Sequence, residues 1–233
     1  MKQVLFFFFA FITLASCRYT TGSGNIITQK RNVGNFSGIS VGGAFEVEVK
    51  IGPVAEVTVE ADDNIMKYIE TKVSGNILKI RTEDLHNYSD VHMKIYITTP
   101  GLTSIRASAS AEVKVIDVLS GNDKLSFNAS SSGSIEAEVD APRIETDASS
   151  GATINLTGKT KSYHAEASSG ADIKTWDLFC EDTEVSVSSG ANAKVHASLI
   201  LKASASSGGA VTYHGAANVT KSVSSGGSVE KRD

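Results

Sequence analysis

Proline is scarce in this chain, with three in 233 residues, and cysteine is scarcer, with two. Basic charge is not in excess: 22 Lys and Arg stand against 26 Asp and Glu, for a net charge of -4. Without a basic footprint, nucleic acid is excluded as a partner. No apolar run reaches the roughly 20 residues that a membrane-spanning helix needs. Large rings are also few once the chain is divided. Five of the nine Phe precede residue 12, leaving Phe36, Phe45, Phe127 and Phe179, with six Tyr and one Trp. A core so poor in rings must pack on small and aliphatic side chains. What is abundant is Gly, at 20, together with Ser and Val, which suits a β-rich chain with tight corners. At 41% hydrophobic the chain can bury one substantial domain or two small ones, and it is not disordered.

The first residues read as an address. Met1-Lys2 leads into an apolar stretch from Val4 to Leu14, long enough for a signal-peptide core and too short to span a bilayer. It closes in Leu14-Ala15-Ser16-Cys17, which resembles the bacterial lipobox, where cleavage leaves a diacylated cysteine as the first residue. The competing reading is a buried strand ending in a chance cysteine, but h-region length, small residues and Cys agree on the lipobox. Residues 1–16 are therefore expected to be a lipoprotein signal peptide, Cys17 the lipid-bearing residue, and 17–25 a polar tether. Cys180 then has no partner within the chain. Beside Leu178 and Phe179, with no His or Lys next to it, it reads as a packed, inert thiol.

Residues 26–105 carry strand and hairpin signals. Phe45 to Ile51 and Glu56 to Ala61 alternate apolar and polar on either side of Gly52-Pro53, which predicts a half-buried antiparallel pair. Asp62-Asp63-Asn64 before Ile65, Met66 and Ile69 predicts one or two helical turns with an Asx cap. Ser74-Gly75-Asn76 marks a hairpin between residues 71–73 and 77–80. Val91, Met93, Ile95 and Ile97 share one strand face.

Residues 106–233 are a repeat. A Ser-Ser-Gly tripeptide preceded by Ala or Val places its glycine at Gly151, Gly170, Gly190, Gly208 and Gly226, and Ser132 holds the same place one unit earlier. Positions three before, seven before and three after that glycine are mostly apolar, and even offsets are mostly polar. This is strand alternation on both sides of a fixed corner. At about 3.3 Å per residue a unit is too long for one strand, so each unit is a coil. Equivalent positions then stack as parallel strands roughly 4.8 Å apart. The fold class is all-β: a parallel β-helix or solenoid, right-handed by the crossover rule, with an N-terminal β-hairpin-rich portion. A β-sandwich would have no reason to keep one dipeptide at one offset six times.

Within the corner, alternation assigns the second serine of each pair to the inside. Ser131, Ser150, Ser169, Ser189, Ser207 and Ser225 then form a structural ladder of stacked hydroxyls, each donating to one neighbour and accepting from the other. No Gly-Lys-Ser/Thr follows and no His recurs beside them, so they are neither a phosphate cradle nor nucleophiles. At the C-terminus, Glu230, Lys231 and Arg232 put charge on the final strand, which opposes edge-to-edge stacking.

The lipobox, the segment from Phe36 to Val47, the stretch from Ile97 to Ile105 and the Ser-Ser-Gly rungs together resemble one family. It is the putative auto-transporter adhesin, head GIN domain family, typical of Bacteroidetes lipoproteins. The resemblance runs from about residue 25 to the C-terminus. It implies a β-helical fold and an envelope location, with no catalytic residue and no cofactor to carry over.

Function on this reading is non-catalytic: a lipid-anchored cell-envelope protein, expected at the outer membrane, whose solenoid face binds a glycan or another envelope protein. One outward offset, six after the glycine, brings Trp176, His196 and His214 onto consecutive coils as a candidate binding stripe. The alternative is a polysaccharide lyase or hydrolase, by analogy with other β-helices. Its acids would have to converge, whereas Asp62-Asp63, Glu83-Asp84 and Glu181-Asp182 are adjacent pairs that point to opposite faces of a strand. His196 and His214 lack a third ligand, so no metal site is expected.

Overall fold

The computed structural model describes residues 18–83 and 86–232. Residues 1–16, expected as a signal peptide, and Cys17, expected to bear lipid, lie outside the described residues. Successive coils stack their strands in parallel and in register into a β-solenoid of about seven turns.

Two stacks flank the Ser-Ser-Gly corner. The stack before it runs through Gly38–Gly42, Ser104–Ser108 and Lys124–Ala129 and ends at Ile200–Ala205 and Asn218–Val223. The stack after it runs from Glu46–Ile51 and Glu112–Val115 to Asn192–His196, Ala210–His214 and Ser228–Lys231. Between the stacks, inward residues from every coil meet in one continuous core from Phe36 to Tyr213. Alanine, valine and isoleucine dominate it, as the scarcity of rings requires.

The N-terminal end is finished by antiparallel strands. Ile69–Ser74 and Ile77–Thr82 form a hairpin whose turn residues Gly75 and Asn76 have φ of 58° and 62°, the left-handed pair of a type I′ turn. The pairing expected across Gly52-Pro53 is not made. Met93–Thr99 lies between the two strands, parallel to Glu46–Ile51 and antiparallel to Glu56–Asp62. Alternation fixes which face is buried but does not name the neighbour. Ile26–Arg31 then closes that side, antiparallel to Glu56–Asp62.

Asp62-Asp63-Asn64 also does different work from the expected cap. Only a short 3₁₀ turn, Met66–Tyr68, follows, and its N-cap residue Ile65 makes no side-chain cap. The buried Asp62 carboxylate instead accepts the backbone N–H groups of Gly24 and His92, both at 2.7 Å. Asp63 accepts from the Ser23 hydroxyl at 2.6 Å and the Asn25 amide at 2.9 Å. Residues 18–25, expected as a free tether, are thereby docked, with Arg18–Thr21 pairing in parallel with His86–Ser89. The Gly24 backbone N–H on the buried Asp62 and the Ser23 and Asn25 side chains on the exposed Asp63 hold this short segment, and this outweighs the flexibility that composition suggests.

The last described coil runs through Asn218–Val223 and Ser228–Lys231. Its inward positions, in line with Ala203 and Tyr213, hold Lys221 and Lys231. Lys221 reaches back over the open core to donate to the Val229 carbonyl at 3.0 Å, with its ammonium 5.1 Å from the centre of the Tyr213 ring. Inward-pointing cations on a terminal strand oppose continuation of the stack.

Candidate functional site

The solenoid has one constant corner and one variable corner. At the constant corner, five residue steps always separate the strands: Ala129 to Ser134, Ala148 to Thr153, Ala167 to Asp172, Val187 to Asn192 and Ala205 to Ala210. The second serine of each pair there is exposed, with φ between 47° and 53°. The expected inward hydroxyl ladder is therefore corrected: the residue that turns in is the one after the glycine, such as Ala152, Ala171 and Ala191. The reason is the turn itself. Each Ser-Gly pair forms the two left-handed residues of a type I′ turn, closed by an N–H···O bond of 2.9–3.2 Å from the residue after glycine to the first serine. Two left-handed residues in succession break strict alternation, so side-chain direction cannot be counted through them. From Ser132 to Gly208, the N–H of the glycine position donates to the serine carbonyl of the next coil at 3.0–3.2 Å, so main chain rather than hydroxyls holds the corners together.

At the opposite corner the connection changes length. It takes seven residue steps from Glu136 to Arg143 and from Asn155 to Ser162, eight from Lys174 to Asp182, then six from Lys194 to Ile200 and from Thr212 to Asn218. Where the coil of eight steps meets the following coil of six, the corner steps inward. The step leaves Phe179 projecting, 60% exposed, above an open groove of about 620 Å³. Ala141, Pro142, Thr160 and Cys180 supply the apolar surface of this groove. Lys159, Lys161, Asp140 and Glu181 bring charges of both signs to it, and Lys159 sits 3.2 Å from Asp140.

The expected stripe is present as a chain of rings. Trp176 meets the edge of His214 with centroids 4.0 Å apart, His214 meets His196 at 4.8 Å, and His196 meets Phe179 at 5.3 Å. The fourth ring, Phe179, is not in the stripe read from the sequence, because it stands in register with Lys159 and Asp140 and no ring recurs at that position in the coils before it. His196 turns toward the groove, where its Nδ1 accepts the Cys180 backbone N–H at 3.1 Å. Burial, and next the neighbouring His214, hold its imidazole below the ordinary 6.5. The acceptor role fits a neutral ring with the proton on Nε2.

Cys180 beneath the groove is 2% exposed, its thiol donating to the Asp182 carbonyl at 3.0 Å, and burial pushes its pKa up to about 11. A thiol held protonated is a poor nucleophile. Deeper in, the Tyr163 hydroxyl pairs with Thr146 Oγ1 at 2.9 Å, and burial raises that phenol to about 12. Among the described residues, no group of three or more His, Cys, Asp or Glu gathers as a metal site would require.

Solved structures share this architecture. A "putative adhesin" of Bacteroides fragilis superposes with a TM-score of 0.85 at 18% identity, over 91% of this chain and 100% of its own. A "putative lipid binding protein" of Parabacteroides distasonis gives 0.78 at 20% identity, over 93% and 100%. A second "putative adhesin", also of Parabacteroides distasonis, gives 0.75 at 22% identity, over 92% and 100%. At these identities the likeness establishes the fold alone. No curated protein matches the chain. The family model described as "Putative auto-transporter adhesin, head GIN domain" matches residues 35–217, and the chain belongs to that family.

Proposed function

We propose that this chain is a non-catalytic, lipid-anchored cell-envelope protein that binds a glycan through the ring-bearing corner of its solenoid. The observation that carries the reading is Phe179. An aromatic side chain held out over a groove by one over-long coil contributes nothing to the core beneath it, and exposed apolar surface set among polar residues marks an interaction site. A ring wall with carboxylate, ammonium and hydroxyl groups around it suits sugars, which offer apolar faces and a rim of hydroxyls. The adhesin descriptions of the family and of two structural neighbours point the same way, and the lipobox-like Leu14 to Cys17 supplies the anchor.

The test is a glycan array probed with the Cys17→Ala chain, alongside Cys17→Ala with Phe179→Ala. Binding that depends on Phe179 supports the reading. Release of shortened sugars from a bound glycan would replace it by the degrading-enzyme alternative. Binding of a fluorescent fatty acid, with no glycan retained, would assign the groove to acyl chains.

A further inference from the structure

The second concavity lies on the Trp176 side of the ring chain. Along one outward column of the solenoid, in-register stacking places Lys114, Glu136, Asn155, Lys174, Lys194 and Thr212 on successive coils. Early in this column opposite charges meet, with the Lys114 ammonium 2.9 Å from Glu136. Three coils later Lys174 stacks directly on Lys194, flanked by Asn155 and Thr212. Neither ammonium has an ion-pair partner among the described residues. Like charges side by side on neighbouring strands destabilise a sheet. Stability alone would favour an acid at one of these two positions.

The two lysines line a hollow of about 460 Å³ with Trp176, Asp177, Thr212 and Arg232. Three cations thus face one carboxylate, that of Asp177. Arg232 is tied only loosely, 3.9 Å from an exposed Glu230. By contrast, the Phe179 groove has two lysines and two acids. Trp176 is steadied from the next-but-one coil by the edge of His214. A braced indole beside a paired positive charge offers a flat apolar surface and an anion seat within one small hollow.

We infer that this hollow binds an acidic sugar, a glycan unit bearing a carboxylate or sulfate, with the sugar face on Trp176 and the anion between Lys174 and Lys194. The inference deepens the glycan-binding reading and rests on it for the sugar; the anion follows from the lysine pair. An anion there also relieves the repulsion that the bare sheet carries.

The experiment measures binding by calorimetry to oligogalacturonate, to heparin-derived oligosaccharides, and to methyl-esterified oligogalacturonate as the uncharged counterpart. The proteins are the Cys17→Ala chain and, in that background, K174Q/K194Q, W176A and a distant control, K50Q/K202Q, which removes the same charge. Acidic oligosaccharide should bind the parent about tenfold more tightly than its ester, and K174Q/K194Q should lose about that factor. W176A should also lose about tenfold although net charge is unchanged, and K50Q/K202Q should stay within about twofold. Preference for oligogalacturonate or for heparin fragments identifies the anion as carboxylate or sulfate. An equal loss in K50Q/K202Q, or a W176A chain that binds like the parent, overturns the inference by reducing it to unspecific attraction. Binding of the ester alone overturns it while leaving the glycan reading in place, and retention of no sugar at all removes both.

Discussion

The two corners of the solenoid follow opposite rules. The Ser-Ser-Gly corner keeps one length and one backbone geometry through every coil it closes, and no ring projects from it. The opposite corner varies between six and eight residue steps over the coils from Glu136 onward, and the Phe179 groove lies there. The lesson concerns where a repeat protein can change. In-register stacking needs strands of matched length, and a two-residue turn tolerates no insertion, so length is absorbed at the other bend. Function is then free to occupy the one place where neighbouring coils disagree.

The largest expected effect tests how far that freedom extends. Gly158 belongs to the variable corner, yet its φ is 109° and a β-carbon there would run into the Val139 carbonyl of the coil before. Gly158→Ala should therefore cost about 3 kcal/mol or more, measured by urea unfolding. A loss near zero would show that the variable corner yields even where coils touch.

Next comes the constant corner. Ser169 holds a φ of 51°, a region that costs ordinary residues about 1–2 kcal/mol and β-branched ones more. Ser169→Val should destabilise by about 1–2 kcal/mol, while Ser169→Gly should be neutral or stabilising by a few tenths. If hydroxyl contacts held the corner, both would destabilise alike.

A third measurement addresses the end of the stack. Replacing Lys221 and Lys231 with valine restores apolar residues at inward positions of the last coil. Light scattering at several concentrations should then show more end-to-end association than the unsubstituted chain gives. A variant that associates no more than that chain would mean that the two lysines do not guard this edge.

The smallest effects belong to the groove. Phe179→Ala should change stability by no more than about 0.5 kcal/mol, as surface changes do, while abolishing groove binding. The pH response has a definite sign. Because the folded state holds His196 below its ordinary 6.5, the unfolded chain takes up a proton first as pH falls. Stability should therefore drop as pH falls from about 6.5 toward the folded-state value, and His196→Ala should flatten that slope.

The spacing of the glycines in the sequence already contains the coil, its parallel stacking and the inward positions, because periodicity two is visible along each strand. The same spacing also hints at the groove: the glycines step by 19, 20, 18 and 18, and the longest step is the one that holds Phe179. Trp176, His196 and His214 could be grouped because they share an offset. Phe179 could not, since its in-register counterparts, Lys159 and Asp140, are not rings. The inside and outside of the serines were likewise hidden, because alternation is a rule for extended backbone and fails across two left-handed residues.

By itself, then, the sequence determined the periodic part of this protein: which residues form strands, which positions face the core, and where each tight turn falls. These follow from local backbone preference and burial. Only the tertiary structure decided what departs from the period. It set Met93–Thr99 between two strands that looked like partners, and it drew residues 18–25 onto Asp62 and Asp63. It also placed Phe179 over a step and Lys174 against Lys194. The reason is that partner choice and surface juxtaposition depend on the lengths of distant connections, and loop length costs so little free energy that local sequence hardly constrains it.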